Sequence, residues 1–189
     1  MKDKVGERYI GEVQGFSIHQ ILHTIQMEDW KLFIKMVLVK RRADDFCEID
    51  NAEYDAIMDS IEPASILDLN SQKVLATRDR VSGNGNFYVE EYWIFDKHGP
   101  IPLDQGVVYE TLKKLLPKGT DVRNGGGFNI AKLCYAMPVW RDEDAHCCPS
   151  GGTVQIKFAL ENDQLVVVQQ KYNPSPSREE QDNPMACTM

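Results

Sequence analysis

The sequence predicts an α+β fold, with N-terminal helices followed by a mainly antiparallel sheet and one packed helix. Three observations carry that expectation. Before residue 63, apolar residues recur at helical spacing. After residue 64 they cluster in short runs rich in β-branched and aromatic side chains. Gly, Asn and Pro punctuate those runs where turns are needed. The predicted organisation is a single domain over 1–172, helical at 1–63 and sheet at 64–172, followed by a disordered tail at 173–189.

The elements follow in order. Ser17 and Gln20 fit a capping box, and Ile18, Ile21, Leu22 and Ile25 then share one helical face. Glu28-Asp29 suits the first turn of a second helix. Its inner face carries Trp30, Phe33, Ile34, Val37 and Leu38, with a strand over Leu32–Val39 as the competing reading. Asp50 and Glu53 mark a third helix bearing Ile57, Met58 and Ile61, which stops near Pro63. Strands are expected at 64–69, 73–81 and 87–95, with a turn at Gly83–Asn86. Val107, Val108, Leu112, Leu115 and Leu116 fit a short helix ended by Pro117. Residues 128–140 favour a strand slightly. Thr153–Leu160 and Gln164–Tyr172 alternate and read as a hairpin. The tail has Pro174, Pro176 and Pro184 and little to bury.

A chain of 189 residues can bury roughly two-thirds of its unfolded surface, so a core needs no metal and no cofactor is expected. The formal net charge is −8, which repels a phosphate backbone, so no nucleic-acid partner is expected. The basic cluster Lys40-Arg41-Arg42 is followed at once by Asp44 and Asp45 and reads as a helix end. No apolar run approaches the ~20 residues of a membrane span, so no integral membrane segment is expected. No signal peptide is visible, so the protein as sequenced is expected to be cytoplasmic, or periplasmic or secreted if a signal peptide was removed. The five cysteines, Cys47, Cys134, Cys147, Cys148 and Cys187, form no C-x-x-C pair. The expected disulfide joins Cys134 to Cys147 or Cys148, because these flank the turn-rich segment 136–152.

Four stretches could carry chemistry. His19-Gln20-Ile21-Leu22-His23 has the i, i+4 histidine spacing of H-E-x-x-H peptidases. Gln20 replaces the glutamate, and an amide cannot take a proton from metal-bound water. The plainer reading is a solvated pair opposite Ile18 and Ile25. Next, Arg141–Gly152 gathers Asp142, Asp144, His146 and Cys147, all donor types that zinc accepts. Adjacent cysteines in an extended chain point to opposite sides, so Cys147 and Cys148 would not both reach one ion. An acidic turn between two strands is the plainer reading. Third, Cys147 or Cys148 could act as a nucleophile with His98 or His146 as base, although no protease signature surrounds them. Finally, Arg123-Asn124-Gly125-Gly126-Gly127 and Gly83-Asn84-Gly85 could cradle phosphate but lack the P-loop pattern, and both read as turns.

The segment Asp144-Ala145-His146-Cys147-Cys148-Pro149-Ser150-Gly151, with Val139-Trp140 before it and an alternating strand after it, resembles the D-A-x-C-C-P-S-G segment of exported bacterial proteins and lipoproteins. There the segment lies late in a small β-rich domain. Strands over 64–95 are also similar to the strand-loop-strand that precedes it, and residues 1–63 lie outside the resemblance. The resemblance implies a bacterial source and no activity. The function expected from the whole sequence is a non-catalytic binding or interaction protein with a protein or small-ligand partner. The alternative is a metal-binding protein or cysteine-dependent enzyme centred on residues 142–148.

Overall fold

The computed structural model describes residues 2–26, 31–42, 45–54, 62–70, 72–81, 87–123, 127–183 and 187. The chain divides into two compact units, Met1–Pro102 and Leu103–Met189. The predicted α+β class is corrected. The fold is mainly β, and it opens on strands where helices were expected.

The N-terminal unit holds two antiparallel sheets of four strands. The first runs β1 (Lys2–Val13), β2 (Phe16–Gln26), β3 (Lys31–Arg42) and β4 (Asp45–Tyr54), each strand beside the next. Its first hairpin turns on Gln14-Gly15, both at positive φ (50° and 82°), with Val13 opposite Phe16. A two-residue turn of that hand matches the twist of the strands it joins. Beyond the turn the chain alternates. Phe16, Ile18 and Gln20 are buried, while Ser17 and His19 are partly exposed. Val39 and Val37 on β3 stand opposite Ile18 and Gln20 and are buried with them. The helical spacing of Ile18, Ile21, Leu22 and Ile25 is thus overridden by a period of two. Their β-branched neighbours suit a pleated surface. The expected second helix is replaced by β3, and residues 27–30 lie outside the described residues. The third is replaced over 45–54 by β4, and Ile57, Met58 and Ile61 likewise lie outside them.

The second sheet runs β5 (Ser65–Leu69), β6 (Gln72–Val81), β7 (Phe87–Phe95) and β8 (Pro100–Pro102). The two sheets share a core. Val13, Phe16, Ile18, Val37 and Val39 from the first meet Ala64, Leu75, Trp93 and Phe95. Phe16 and Phe95 pack tilted with ring centroids 5.9 Å apart. Each large apolar side chain buried this way contributes roughly 1.5–3 kcal/mol. Gln20 is a buried polar group with both ends occupied. Its Oε1 accepts from Ala64 N at 2.9 Å and its Nε2 donates to Glu62 O at 3.4 Å, which fastens the segment before β5 to β2.

The C-terminal unit begins with α1 (Gly106–Leu115), at the place the sequence predicts, lying against β14 (Gln164–Asn173). Its sheet orders β10 (Phe128–Asn129), β11 (Cys134–Pro138), β13 (Thr153–Glu161) and β14. A 3₁₀ turn over Ile130–Lys132 separates β10 from β11, so the predicted strand across 128–140 is broken into short pieces. β9 (Thr120–Asp121) pairs separately with β12 (Trp140–Arg141). The expected hairpin over 153–172 is present as β13 and β14, turning on Asn162 and Asp163, both at positive φ. Cys134, Ala136, Val154, Ile156 and Phe158 fill this unit's interior.

The segment predicted to be a disordered tail is pinned twice. Ser177 and Glu180 form a reciprocal capping box on α2 (Arg178–Asp182), and Asn173 Nδ2 donates to Glu180 Oε2 at 3.1 Å. Further on, Cys187 is disulfide-bonded to Cys134, with Cα atoms 6.2 Å apart.

Candidate functional site

One cavity is cut into an end of the N-terminal unit, and the two-sheet core supplies its floor. Phe16 at the start of β2, Val39 on β3, Ile49 on β4 and Trp93 on β7 form the apolar wall. The turn Asp96–Gly99 and strand β8 form the rim of this open cavity, whose volume is about 500 Å³. That size falls within the range of small-molecule sites. The sequence dictates the rim locally. Asp96 Oδ1 accepts the backbone N–H of His98 at 2.7 Å and of Gly99 at 2.9 Å, and Asp96 N donates back to Gly99 O at 3.0 Å. This is the turn an Asp favours when a Gly follows three residues later. The His98 N–H, assisted by that of Gly99, holds the Asp96 carboxyl below the usual carboxylate range. The cavity therefore combines an aromatic and aliphatic body with an anionic lip. It can hold an apolar group and meet a hydrogen-bond donor or a cation at its mouth.

In the C-terminal unit, the run considered as a metal site and read more plainly as an acidic turn is a hydrogen-bonded loop. Asp144 Oδ2 accepts from Arg141 N and Ser150 N, and its Oδ1 accepts the Ser150 hydroxyl, all at 2.7 Å. The Arg123 guanidinium donates to the carbonyls of Asp144, Arg141 and Asp142. Trp140 Nε1 donates to His146 O at 3.1 Å. Cys148 N donates to Ala145 O at 3.0 Å, closing a tight turn over 145–148. Within that turn Cys147 and Cys148 are joined to each other, with Cα atoms 3.8 Å apart.

The expected bridge from Cys134 to Cys147 or Cys148 is therefore corrected. Cys134 pairs with Cys187, and the two adjacent cysteines pair together. Cys134 begins β11, and that strand alone carries the chain on the order of 13 Å away before the loop begins. The opposed side chains expected of adjacent cysteines belong to an extended chain, and the turn removes that geometry. As for metal, Asp142, Asp144, His146 and Cys147 do not converge. Among the described residues, no group of three or more His, Cys, Asp or Glu is placed to hold an ion. His19 and His23 stand on a strand, so their Cα atoms are on the order of 13 Å apart, too far to share an ion. His19 instead reaches Glu7 Oε1 at 3.1 Å and Ser17 Oγ at 3.3 Å. Cys147 and Cys148 are present as a disulfide rather than as thiols, and His98 belongs to the other unit. Residues 82–86 and 124–126, which include the glycines considered for phosphate, lie outside the described residues.

Sequence reasoning missed Phe16, Trp93 and Asp96 as pocket residues. The D-x-H-G-P string at 96–100 was the available signal, and it was read only as the end of a strand. Comparison with family models, with curated proteins and with solved structures finds no match. No helix among the described residues is long and apolar enough to cross a membrane.

Proposed function

We propose that the protein is a non-catalytic binding protein whose N-terminal unit takes a small ligand with an apolar body and a hydrogen-bond-donating or cationic end. The observation that carries this reading is the cavity of about 500 Å³ lined by Phe16, Trp93, Val39 and Ile49, with the Asp96 carboxylate on its rim. An apolar pocket with one oriented polar group favours recognition, since the body gains from burial and the lip fixes orientation. Asp96 and His98 are the ionisable groups among the pocket's lining residues, and the Asp96 carboxylate is already committed to the turn through the His98 and Gly99 N–H groups, so it is proposed as an anchor.

The test is a thermal-melting screen of small amphipathic amines against matched carboxylates and neutral analogues. A ligand at 100 times its Kd stabilises by about 2.7 kcal/mol, which a melting curve resolves. Amines should raise the melting temperature more than carboxylates of the same shape. Ile101→Lys, on the pocket rim, should abolish the shift by setting a cation where the amine end sits, while leaving the circular dichroism spectrum unchanged. No stabilisation by any amine, or equal stabilisation of the Ile101→Lys protein, would remove the proposal.

A further inference from the structure

We propose that the Cys147–Cys148 cystine is a thiol–disulfide exchange site, opened by a dithiol reductant, and that its reduced form is a two-sulfur clasp for a thiophilic species such as a trivalent arsenical. The proposal is independent of the ligand seat in the other unit. It rests on access and on a frame that outlasts the bond. Cys147 and Cys148 are both exposed, and so are their neighbours Ala145, His146, Pro149 and Ser150. Exchange requires a thiolate to reach a sulfur, and access of this kind admits one. The second cystine differs in degree, because Cys134 is only 2% exposed at the start of β11 and Cys187 is half-buried, whereas both cysteines of the adjacent pair are exposed.

The frame is the loop itself. Asp144 holds Arg141 N and both donors of Ser150, Arg123 clamps the carbonyls of Arg141 and Asp144, and the Cys148 N–H closes the turn onto Ala145 O. None of these bonds uses a sulfur atom. When the S–S bond breaks, the turn keeps its hydrogen bonds and the two thiols stay adjacent. A bridge between neighbouring residues also closes almost no chain, so its loss removes little loop-closure entropy from the unfolded state.

The chemistry balances as follows. A thiolate of the dithiol bonds to one of the two sulfurs, the Cys147–Cys148 bond breaks, and the released cysteine takes up a proton. The second thiol of the reductant then displaces the other cysteine. The reductant leaves as a cyclic disulfide, two electrons pass to the protein, and both cysteines end as thiols. The reduced pair reacts with an aryl arsenic(III) oxide without redox change. Two As–S bonds form, and the arsenic-bound oxygen leaves as water with the two thiol protons. Soft sulfur donors favour such a partner over hard cations.

The experiment blocks free thiols of the native full-length chain, including any at Cys47, with one alkylating reagent. It then titrates dithiothreitol and labels newly opened cysteines with a second, heavier reagent, read by mass spectrometry. Cys147 and Cys148 should become labelled at a reductant concentration at least about tenfold below that which labels Cys134 and Cys187, while the circular dichroism spectrum stays native. The reduced, unlabelled protein should take up one phenylarsine oxide per chain, and Cys148→Ser should abolish that uptake without changing the spectrum. The proposal is overturned if Cys134 and Cys187 open at the same or a lower concentration. It is equally overturned if the pair opens only as native structure is lost, or if the reduced protein binds no arsenical.

Discussion

The Asp144 carboxylate holds Ser150 twice. Oδ2 accepts its backbone N–H and Oδ1 accepts its hydroxyl, each at 2.7 Å. The Arg141 N–H, followed by the Ser150 hydroxyl and N–H, keeps the Asp144 carboxyl below the usual carboxylate range. A carboxyl depressed in the folded state contributes stability above its unfolded value of about 3.9, and that contribution is lost as pH falls through the lower folded value. The Ser150 amide resonance should therefore titrate with a midpoint below about 3.9. Asp144→Ala should remove this transition and speed amide exchange at Ser150 at neutral pH. A midpoint at or above 3.9 would contradict the loop as described.

The Cys134–Cys187 disulfide spans a sequence separation of 53 residues, and on the loop-entropy model it stabilises by about 4 kcal/mol. Cys134→Ala and Cys187→Ala should each lower the unfolding free energy in denaturant by about that much. The double variant should cost little more than either single one, because both remove the same bond. A loss of less than about 1 kcal/mol for Cys187→Ala would show that the C-terminal segment is not anchored there.

Gly152 sits at φ +101°, and a Cβ built on it would overlap the Asn173 carbonyl oxygen. Its own carbonyl accepts Val139 N at 2.9 Å, so the backbone cannot shift without breaking that contact. Gly152→Ala should cost more than about 1 kcal/mol in chemical denaturation, whereas Ser150→Ala, which removes one exposed hydroxyl hydrogen bond, should cost less than that.

In the N-terminal unit, Tyr92 donates its hydroxyl to Glu90 Oε2 at 2.8 Å, while Arg78 Nε donates to Glu90 Oε1 at 2.6 Å. Burial first, and then the Glu90 charge, pushes the Tyr92 phenol well above the usual tyrosine value. In a spectrophotometric titration, Tyr92→Phe should remove no tyrosinate signal near pH ~10, since Tyr92 stays protonated there. The same variant should cost on the order of 1.5–3 kcal/mol, the usual worth of a hydrogen bond to a charged group. Loss of an absorbance step near the ordinary tyrosine value would contradict the burial.

The second half of the chain was more legible in sequence than the first, for physical reasons. Thr153–Leu160 and Gln164–Tyr172 alternate in sequence and pair as β13 and the edge strand β14, joined at the Asn162-Asp163 turn, although Thr153–Ile156 are buried on both faces. Pro117 lies just beyond the end of α1 at Leu115, and the chain cannot continue as helix there. In the first half, Ile18, Ile21, Leu22 and Ile25 satisfied a helical template by coincidence. The arbiter was Gln14-Gly15, whose two positive φ values set the hairpin and hence the register of Ile18 against Val39. Gln20 was read as part of a capping box. Its burial follows from Ala64 N, a partner 44 positions away that no local pattern reveals. The disulfide pairing was illegible for a similar reason, since Cys187 lies 53 positions from Cys134 and no local pattern relates them. Of the pocket, only the Asp96 turn left a local trace.

The ligand seat is tested most directly by mapping ¹H–¹⁵N chemical shifts while an amphipathic amine from the melting screen is titrated into the protein. The indole N–H of Trp93 and the amides of His98, Gly99 and Ile101 should shift together and saturate at one ligand per chain. Shifts that avoid these four positions, or that persist unchanged in the Ile101→Lys protein, would contradict the account.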